Sequence, residues 1–430
     1  MSLRDRIRNR DAKVAVIGLG YVGLPLALAV AEAGFHTFGI DVDKERIAQI
    51  RRGSSPLIDI SDEEIAKANS RGGFEPTHNF GCLVEADVFV ICVPTPLQHD
   101  LPDMSYIERA ATRIAEHLRP GCLVILESTT YPGTTEEFLR GLLEAGGLRA
   151  GEDFHLGFSP ERIDPGNKEF GLRNVPKIVG GYDSDSGDAM EAFYSSFVDK
   201  VVRVSSPSVA ETAKLLENTF RHINIALVNE MAILCHDLGV DIWEVIDAAA
   251  TKPFGFTPFY PGPGWGGHCI PVDPAYLSWR VRQMGGTAHF VELAREINAR
   301  MPGYVVQRIG ECLNEQGKSL RSSRVLLLGV AYKPDVSDVR ESPALEILDR
   351  LQKAGADVGF HDPYVDEVSL KSSIIKRTEL NAAALREADV VVTVTGHSSY
   401  DWADIADRSR MILDTRNVLR DTVADNVIRL

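Results

Sequence analysis

One thiol stands in a loop of unusual composition: Phe259-Tyr-Pro-Gly-Pro-Gly-Trp-Gly-Gly-His-Cys269-Ile-Pro-Val-Asp273. Glycines and prolines bend a backbone tightly and let a ligand come close, so a sulfur here reaches a substrate atom that a helix or strand would keep away. Asp273, four residues on, adds a carboxylate. The pattern points to covalent chemistry at Cys269, against the alternative of a buried, inert thiol. The remaining cysteines, Cys82, Cys92, Cys122, Cys235 and Cys312, fall in apolar or helical surroundings and read as filler.

A second constellation is Gly18-Leu-Gly20-Tyr21-Val22-Gly23, which follows an apolar run and opens a helical one; Asp41 ends the next apolar run. Gly18 and Gly20 permit the turn and bring a pyrophosphate to the helix N-terminus, where free amides and the helix dipole meet its charge. Asp41 can accept from both hydroxyls of a ribose, and a 2′-phosphate there would face a carboxylate. NAD is therefore expected over NADP, with Arg46, one helical turn on, as the residue that would favour the opposite. Thr95 and Thr129 follow strand candidates, at the carboxyl ends where open α/β sheets bind ligands; threonine is equally a plain turn residue.

A third is the stripe Glu211, Lys214, Asn218 and Arg221, whose three- and four-residue spacing puts these side chains on one helix face. On a surface helix it is a solvated face; on a central one it is a site. A lysine there could hold an anion, stabilise an oxyanion or carry protons.

The elements that must position these groups are legible as alternation. Lys13–Ile17, a glycine turn, a helix from about 22 to 33 and His36–Ile40 form one βαβ unit, followed by strand candidates Val88–Val93, Leu123–Glu127, His155–Phe158 and Lys177–Val179. Residues 208–238 carry no proline or glycine, enough for on the order of 45 Å of helix, a spine or a dimer seam. Strand and helix alternate again at Arg324–Leu328, 343–353, Asp357–Phe360, Val390–Val394 and Met411–Leu413. The expected class is α/β: two Rossmann-like doubly wound domains, 1–204 and 315–430, joined by a central helical, dimer-forming domain of 205–302 that carries the cysteine loop.

At 430 residues, 44% hydrophobic and 25% charged, the chain is an ordinary globular protein, and disorder is excluded. No apolar run approaches the roughly 18 residues that span a bilayer, and the charged first ten residues run straight into a strand, so export and anchoring are not expected. Six cysteines without a CxxC pair give no zinc pattern and suit a reducing cytoplasm. A net charge of −15 disfavours nucleic acid, and an anionic substrate would have to be drawn by local cations and helix N-termini.

Together the glycine fingerprint, Ser159-Pro-Glu161-Arg162, the Glu211–Asn218 stripe, the Cys269 loop and Ala331-Tyr332-Lys333-Pro-Asp-Val-Ser-Asp-Val-Arg340-Glu-Ser-Pro resemble the UDP-sugar 6-dehydrogenase family nearly end to end. Thr251-Lys-Pro-Phe254-Gly-Phe256-Thr-Pro-Phe-Tyr-Pro-Gly-Pro-Gly, leading into His268-Cys269, is most similar to the UDP-N-acetylglucosamine 6-dehydrogenases. The resemblance implies a four-electron oxidation of a sugar's primary alcohol to a carboxylate by two NAD, for surface polysaccharide precursors. Cys269 would be the nucleophile and Lys214 and Asn218 would stabilise oxyanions. Asp273 would orient water or a catalytic group, and Glu161 would act as acid or base in hydrolysis. Lys333 and Arg340 would hold the diphosphate, and Arg162, Ile163, Arg221, Gly266 and Tyr332 would line the sugar and nucleotide pocket.

Two departures matter. UDP-glucose dehydrogenases carry a second glutamate where this chain has Pro165, and UDP-N-acetylmannosamine enzymes tend to carry a histidine and an arginine at Phe254 and Phe256. The apolar pair implies a different sugar pocket, with UDP-N-acetylglucosamine as the expected substrate and UDP-N-acetylmannosamine or UDP-glucose as alternatives. Two other classes compete. A β-hydroxyacid dehydrogenase needs no cysteine nucleophile and lacks residues 324–430, and a non-catalytic NAD-responsive binding protein has no reason to keep Lys214, Cys269 and Asp273 together.

Overall fold

The computed structural model describes residues 1–430 except 58–59, 100, 164–166, 168, 268–269, 372 and 423. The chain divides into two compact units, Met1–Glu217 with Ala275–Gly286, and Asn218–Pro274 with Thr287–Leu430.

The first unit is built on an eight-stranded sheet of β1 (Lys13–Ile17), β2 (His36–Ile40), β3 (Phe74–Thr77), β4 (Val88–Ile91), β5 (Leu123–Leu126), β6 (His155–Phe158), β7 (Lys177–Gly181) and β8 (Val201–Val204), in the order β8-β7-β6-β5-β4-β1-β2-β3. The segment β3-β2-β1-β4-β5-β6 is the dinucleotide-binding order, with its reversal between β1 and β4. Side chains alternate along β1: Val14 and Val16 join one apolar cluster and Ala15 and Ile17 the other, so both sheet faces are buried. Within the sheet β7 runs antiparallel to β6. One expectation needs correction: a helix, Leu3–Asn9, precedes β1 where the charged N-terminus was expected to enter the strand directly. Ser2 and Asp5 cap that helix reciprocally, and Leu3 and Ile7 anchor it in the core.

The second unit carries a five-stranded parallel sheet of β9 (Arg324–Leu328), β10 (Asp357–His361), β11 (Val390–Thr393), β12 (Ile412–Asp414) and β13 (Val427–Arg429), in the order β10-β9-β11-β12-β13. This is the other common doubly wound order, reversing between β9 and β11. The long helix spans Pro207–Leu238, and a second long helix, His289–Glu315, lies in the second unit.

Each sheet repeats one device at its reversal. Gly18, after β1, has φ +95°, donates to Ile40 O at 2.7 Å, and any Cβ on it would stand 2.5 Å from Cys92 O beyond β4. Gly329, after β9, has φ +82°, donates to His361 O at 2.8 Å, and any Cβ would overlap Thr395 beyond β11. Only glycine meets both demands. An acid then closes the next strand: Asp41 accepts from Leu19 N at 2.8 Å, and Asp362 from Val330 N at 2.7 Å and Ala331 N at 3.0 Å.

Candidate active site

In the first unit the fingerprint turn has the form a pyrophosphate needs. Gly23 opens the helix Gly23–Glu32, whose N-cap Val22 makes no side-chain capping bond; a Cβ on Gly23 would overlap Gly18 O, so this glycine serves helix–strand packing. A Cβ on Gly20 would meet nothing within 4 Å, which leaves that side of the turn open. Tyr21 is exposed beside it. Asp41 is buried at the end of β2, and its Oδ2 accepts from Arg46 Nη1 at 3.0 Å as well as from Leu19 N. Arg46 therefore pairs with the acid instead of standing free for a 2′-phosphate. The open glycine turn, the uncapped helix and the buried acid together fit NAD.

Thr95 is buried beyond β4, and its carbonyl accepts from Tyr276 Oη at 3.2 Å. Thr129 is half-buried beyond β5. The residue beside it was missed: Thr130 is buried, and its hydroxyl has no hydrogen-bond partner among the described residues. Its signal was position, since it stands on the same strand-end loop.

The loop after β6 holds Glu161, Arg162 and Ile163. Glu161 Oε1 accepts from Arg162 N at 2.6 Å and Ile163 N at 2.5 Å, so the carboxylate is clamped to its own backbone. The Arg162 guanidinium, expected in the sugar pocket, is held by Glu217 at 2.7 Å and Pro176 O at 2.8 Å. Pro165 lies outside the described residues.

The polar stripe of the long helix is not uniform. Glu211 is fully buried and accepts from Gly133 N at 2.6 Å, Thr135 N at 2.9 Å and Thr135 Oγ1 at 2.7 Å, anchoring the π-helical turn Thr134–Leu139. Burial pushes its carboxyl up to about 7 despite these donors. Lys214, one turn on, is nearly buried; Asn218 is half-buried and Arg221 exposed.

In the second unit Asn218 Nδ2 donates to Asp273 Oδ2 in a short bond, and Asp273 opens the helix Asp273–Gln283. Asn218 and the end of the cysteine loop thus meet. Cys269 and His268 lie outside the described residues. The loop's glycines pack on the segment that carries Tyr332, Lys333 and Arg340: a Cβ on Gly266 would stand 2.8 Å from Tyr332 Cβ, and Gly267 N donates to Arg340 O at 3.1 Å. Lys333 is half-buried, and the Arg340 guanidinium sits on Asp338 at 2.6 Å. Phe254 and Phe256 are exposed, at 71% and 40%, with Lys252 Nζ 5.0 Å from the Phe254 ring.

One cation here was missed. Arg416, beyond β12, donates from Nε to Val394 O at 2.9 Å, and a Cβ on Gly262 would overlap its guanidinium; burial lowers its pKa to about 10. Its position after a strand's carboxyl end was the available signal. The thiols expected as filler fit that role: Cys92, Cys122, Cys235 and Cys312 are buried, and burial raises Cys82 and Cys312 to about 11, away from reactivity.

Residues 12–198 match the NAD binding domain of the UDP-glucose/GDP-mannose dehydrogenase family, 208–300 its central domain and 326–421 its UDP binding domain. The chain is 37% identical over 423 residues to the UDP-N-acetyl-D-mannosamine dehydrogenase of Pyrococcus horikoshii, covering 97% of this chain and 98% of that protein. It is also 37% identical over 359 residues to the UDP-N-acetyl-D-glucosamine 6-dehydrogenase of Pseudomonas aeruginosa, covering 83% and 84%. The solved structure of the Pyrococcus horikoshii UDP-D-ManNAc dehydrogenase superposes with a TM-score of 0.89 at 36% identity over 97% of this chain and 98% of that one. With the open glycine turn, Asp41 and the two doubly wound sheets already in place, these matches show that the chain belongs to the UDP-glucose/GDP-mannose dehydrogenase family, as an NAD-dependent UDP-sugar dehydrogenase.

Proposed function

We propose that the chain oxidises the primary alcohol of a UDP-N-acetylhexosamine, UDP-N-acetylglucosamine foremost, to the uronic acid used in surface polysaccharide precursors. The observation that carries this reading is the Asn218–Asp273 bond, which ties the stripe residue to the carboxylate closing the cysteine loop. NAD, which the Gly18–Gly23 turn and Asp41 would hold, would supply the hydride acceptor for each of two successive oxidations. The chain's own residues do the rest. The Cys269 thiolate adds to the aldehyde carbon, and Lys214 and Asn218 donate to the oxygen that becomes negative. Loss of the second hydride leaves a thioester. Water then attacks its carbonyl carbon, Glu161 takes the water's proton, the carbon–sulfur bond breaks, and the sulfur leaves as thiolate. Asp273 orients the water through the same carboxylate that holds Asn218.

Lys333 and Arg340 hold the diphosphate, with Arg340 exchanging Asp338 for phosphate oxygens; this supplies the local positive charge that a −15 chain needs. Gly266 and Tyr332, which pack together, border the nucleotide, while Arg162, Ile163, Arg221, Phe254 and Phe256 select the sugar. Cofactor contacts fall to Gly18, Gly20, Tyr21, Val22, Gly23, Asp41, Thr95 and Thr129. We read three domains, 1–204, 205–302 and 315–430, working in the cytoplasm as a homodimer or higher homo-oligomer. Phe220, Leu227, Leu234 and Leu238 of the long helix, with Phe290 and Leu293, leave an apolar surface that a second copy would cover.

The manno epimer is the second reading, favoured by the relative that spans 97% of the chain. Purified protein given NAD and a panel of UDP-sugars decides between them: the preferred sugar is the one with the highest kcat/KM.

A further inference from the structure

Behind Glu161 lies a buried cluster that the reaction as described leaves unused. Lys177 begins β7 and is 3% exposed; Glu127 follows β5 and is 1% exposed; Tyr194 ends the helix Ser184–Tyr194 and is fully buried. Lys177 Nζ stands 3.1 Å from Glu127 Oε2 and 3.5 Å from Glu161 Oε2. Tyr194 Oη donates to Glu127 Oε1 in a short bond, and its ring lies 5.3 Å from Lys177 Nζ. One ammonium is thus shared by two carboxylates away from water.

The two oxygens of Glu161 are not equivalent. Oε1 is used by the Arg162 and Ile163 amides. Oε2 is buried without a hydrogen-bond partner among the described residues, and Lys177 is the cation within ion-pair range of it. A buried carboxylate without a cation is driven to its neutral form, and a neighbouring carboxylate adds to that drive. The remaining groups that bear on this space are Glu127, Tyr194 and Cys92; burial raises all three, so none supplies positive charge. Arg162 does not supply it either, because its guanidinium is spent on Glu217 and Pro176 O.

We propose that Lys177 is a positioning residue for this reaction: held between Glu127 and Glu161, its ammonium is the buried counter-charge that holds the Glu161 carboxylate in place as the base of the hydrolytic step. Glu127 draws the ammonium the other way and so tunes how strongly Glu161 is held. The inference rests on the acid–base role given to Glu161 above.

The test is the pH profile of kcat for the full-length protein with NAD and UDP-N-acetylglucosamine, in wild type, Lys177→Met, Lys177→Arg, Glu127→Gln and Glu161→Gln. Lys177→Met should move the acidic limb up by about 1–3 pH units, the range over which an opposite charge shifts a carboxylate, and leave KM for the sugar within about twofold, since Lys177 acts after binding. Lys177→Arg should restore the limb. Glu127→Gln should move it the other way, to lower pH, because the ammonium is then undivided. A purely structural role moves neither limb. If Glu161→Gln is impaired while the Lys177→Met and Glu127→Gln profiles superimpose on wild type, the role of Lys177 is overturned and that of Glu161 survives. If Glu161→Gln turns over at the wild-type rate, the acid–base assignment itself falls, and with it this one. Should Lys177→Met fail to fold, Glu127→Gln decides alone: a lower limb supports the proposal and an unmoved limb overturns it.

Discussion

His397 donates from Nε2 to Asp362 Oδ2 at 2.9 Å, with both side chains fully buried. The direction follows from the other nitrogen, because Nδ1 accepts from Asp335 N at 3.0 Å. Asp362 occupies in the second sheet the place of Asp41 in the first, but here His397 takes up the carboxylate. The same architecture thereby gains a buried strut to Asp335, in the loop that carries Lys333 and Arg340.

Removing that strut should separate nucleotide-sugar binding from cofactor binding. In His397→Phe the KM for the UDP-sugar should rise severalfold while that for NAD stays put, and Asp362, left short of a donor, should cost about 1–3 kcal/mol of stability. Burial pushes the Asp362 carboxyl up, but His397 and three backbone amides outweigh it and hold it below the usual carboxylate range. Its stabilisation is present above the ordinary carboxylate pKa and lost as pH falls through the depressed one, so acid melts should show less of it in the variant. Equal rises in both KM values would contradict the loop's role.

Cofactor choice should depend on the Asp41–Arg46 pair. NAD should be used far better than NADP by the unmodified protein. In Asp41→Ala the NAD requirement should rise by roughly tenfold, the scale of one lost polar contact, while the penalty against NADP eases because Arg46 is released from its partner. Equal use of both cofactors before mutation would show that Arg46 governs the ribose pocket.

Glu211 makes a pH prediction of the opposite sign to Asp362. Its folded-state pKa, about 7, lies above the ordinary 4.5, so folding binds its proton more tightly than the unfolded chain does. Stability from this group is fully present below the ordinary value and falls as pH rises to about 7, by at most on the order of 3 kcal/mol. Melting temperature against pH should therefore decline across that window in wild type and stay flatter in Glu211→Gln. A parallel decline in both would remove Glu211 as the cause.

Sugar choice tests the apolar pair. A pocket built for an N-acetyl group needs apolar room and a partner for the amide, and a missing group in such a pocket typically costs about 1–3 kcal/mol. UDP-N-acetylglucosamine should exceed UDP-glucose at least about tenfold in kcat/KM, and Phe254→Ala or Phe256→Ala should narrow that ratio more than it lowers turnover. Preference for UDP-glucose would end the N-acetylhexosamine reading and leave the reaction class intact.

The parts legible in the sequence are those encoded locally. β1, β2, β6 and β9 stand at the expected residues because each is a short apolar run bounded by a turn signal. β3, with Pro76 inside it, and β8, half-exposed at the sheet edge, give no such contrast and were missed. The antiparallel direction of β7 depends on a connection through space, which no periodicity carries. Glu211 reads from spacing as a stripe member, yet its partners Gly133 and Thr135 lie more than seventy residues away. Lys177 could have been noticed as a lone charge heading an apolar strand; its two carboxylates could not. Asp362 lacked a G-x-G-x-x-G to advertise it, and it stands ten residues further from its glycine than Asp41 does, although Gly329 follows β9 as Gly18 follows β1.

The central claim is that Cys269 carries the intermediate between two oxidations, and the most direct measurement counts NADH released per sugar acid formed in wild type and Cys269→Ala. Wild type should give two NADH for each acid. Cys269→Ala should bind NAD normally yet form no sugar acid in steady turnover, because the aldehyde is no longer held for the second hydride transfer. Two NADH per acid from Cys269→Ala at the wild-type rate would contradict the mechanism.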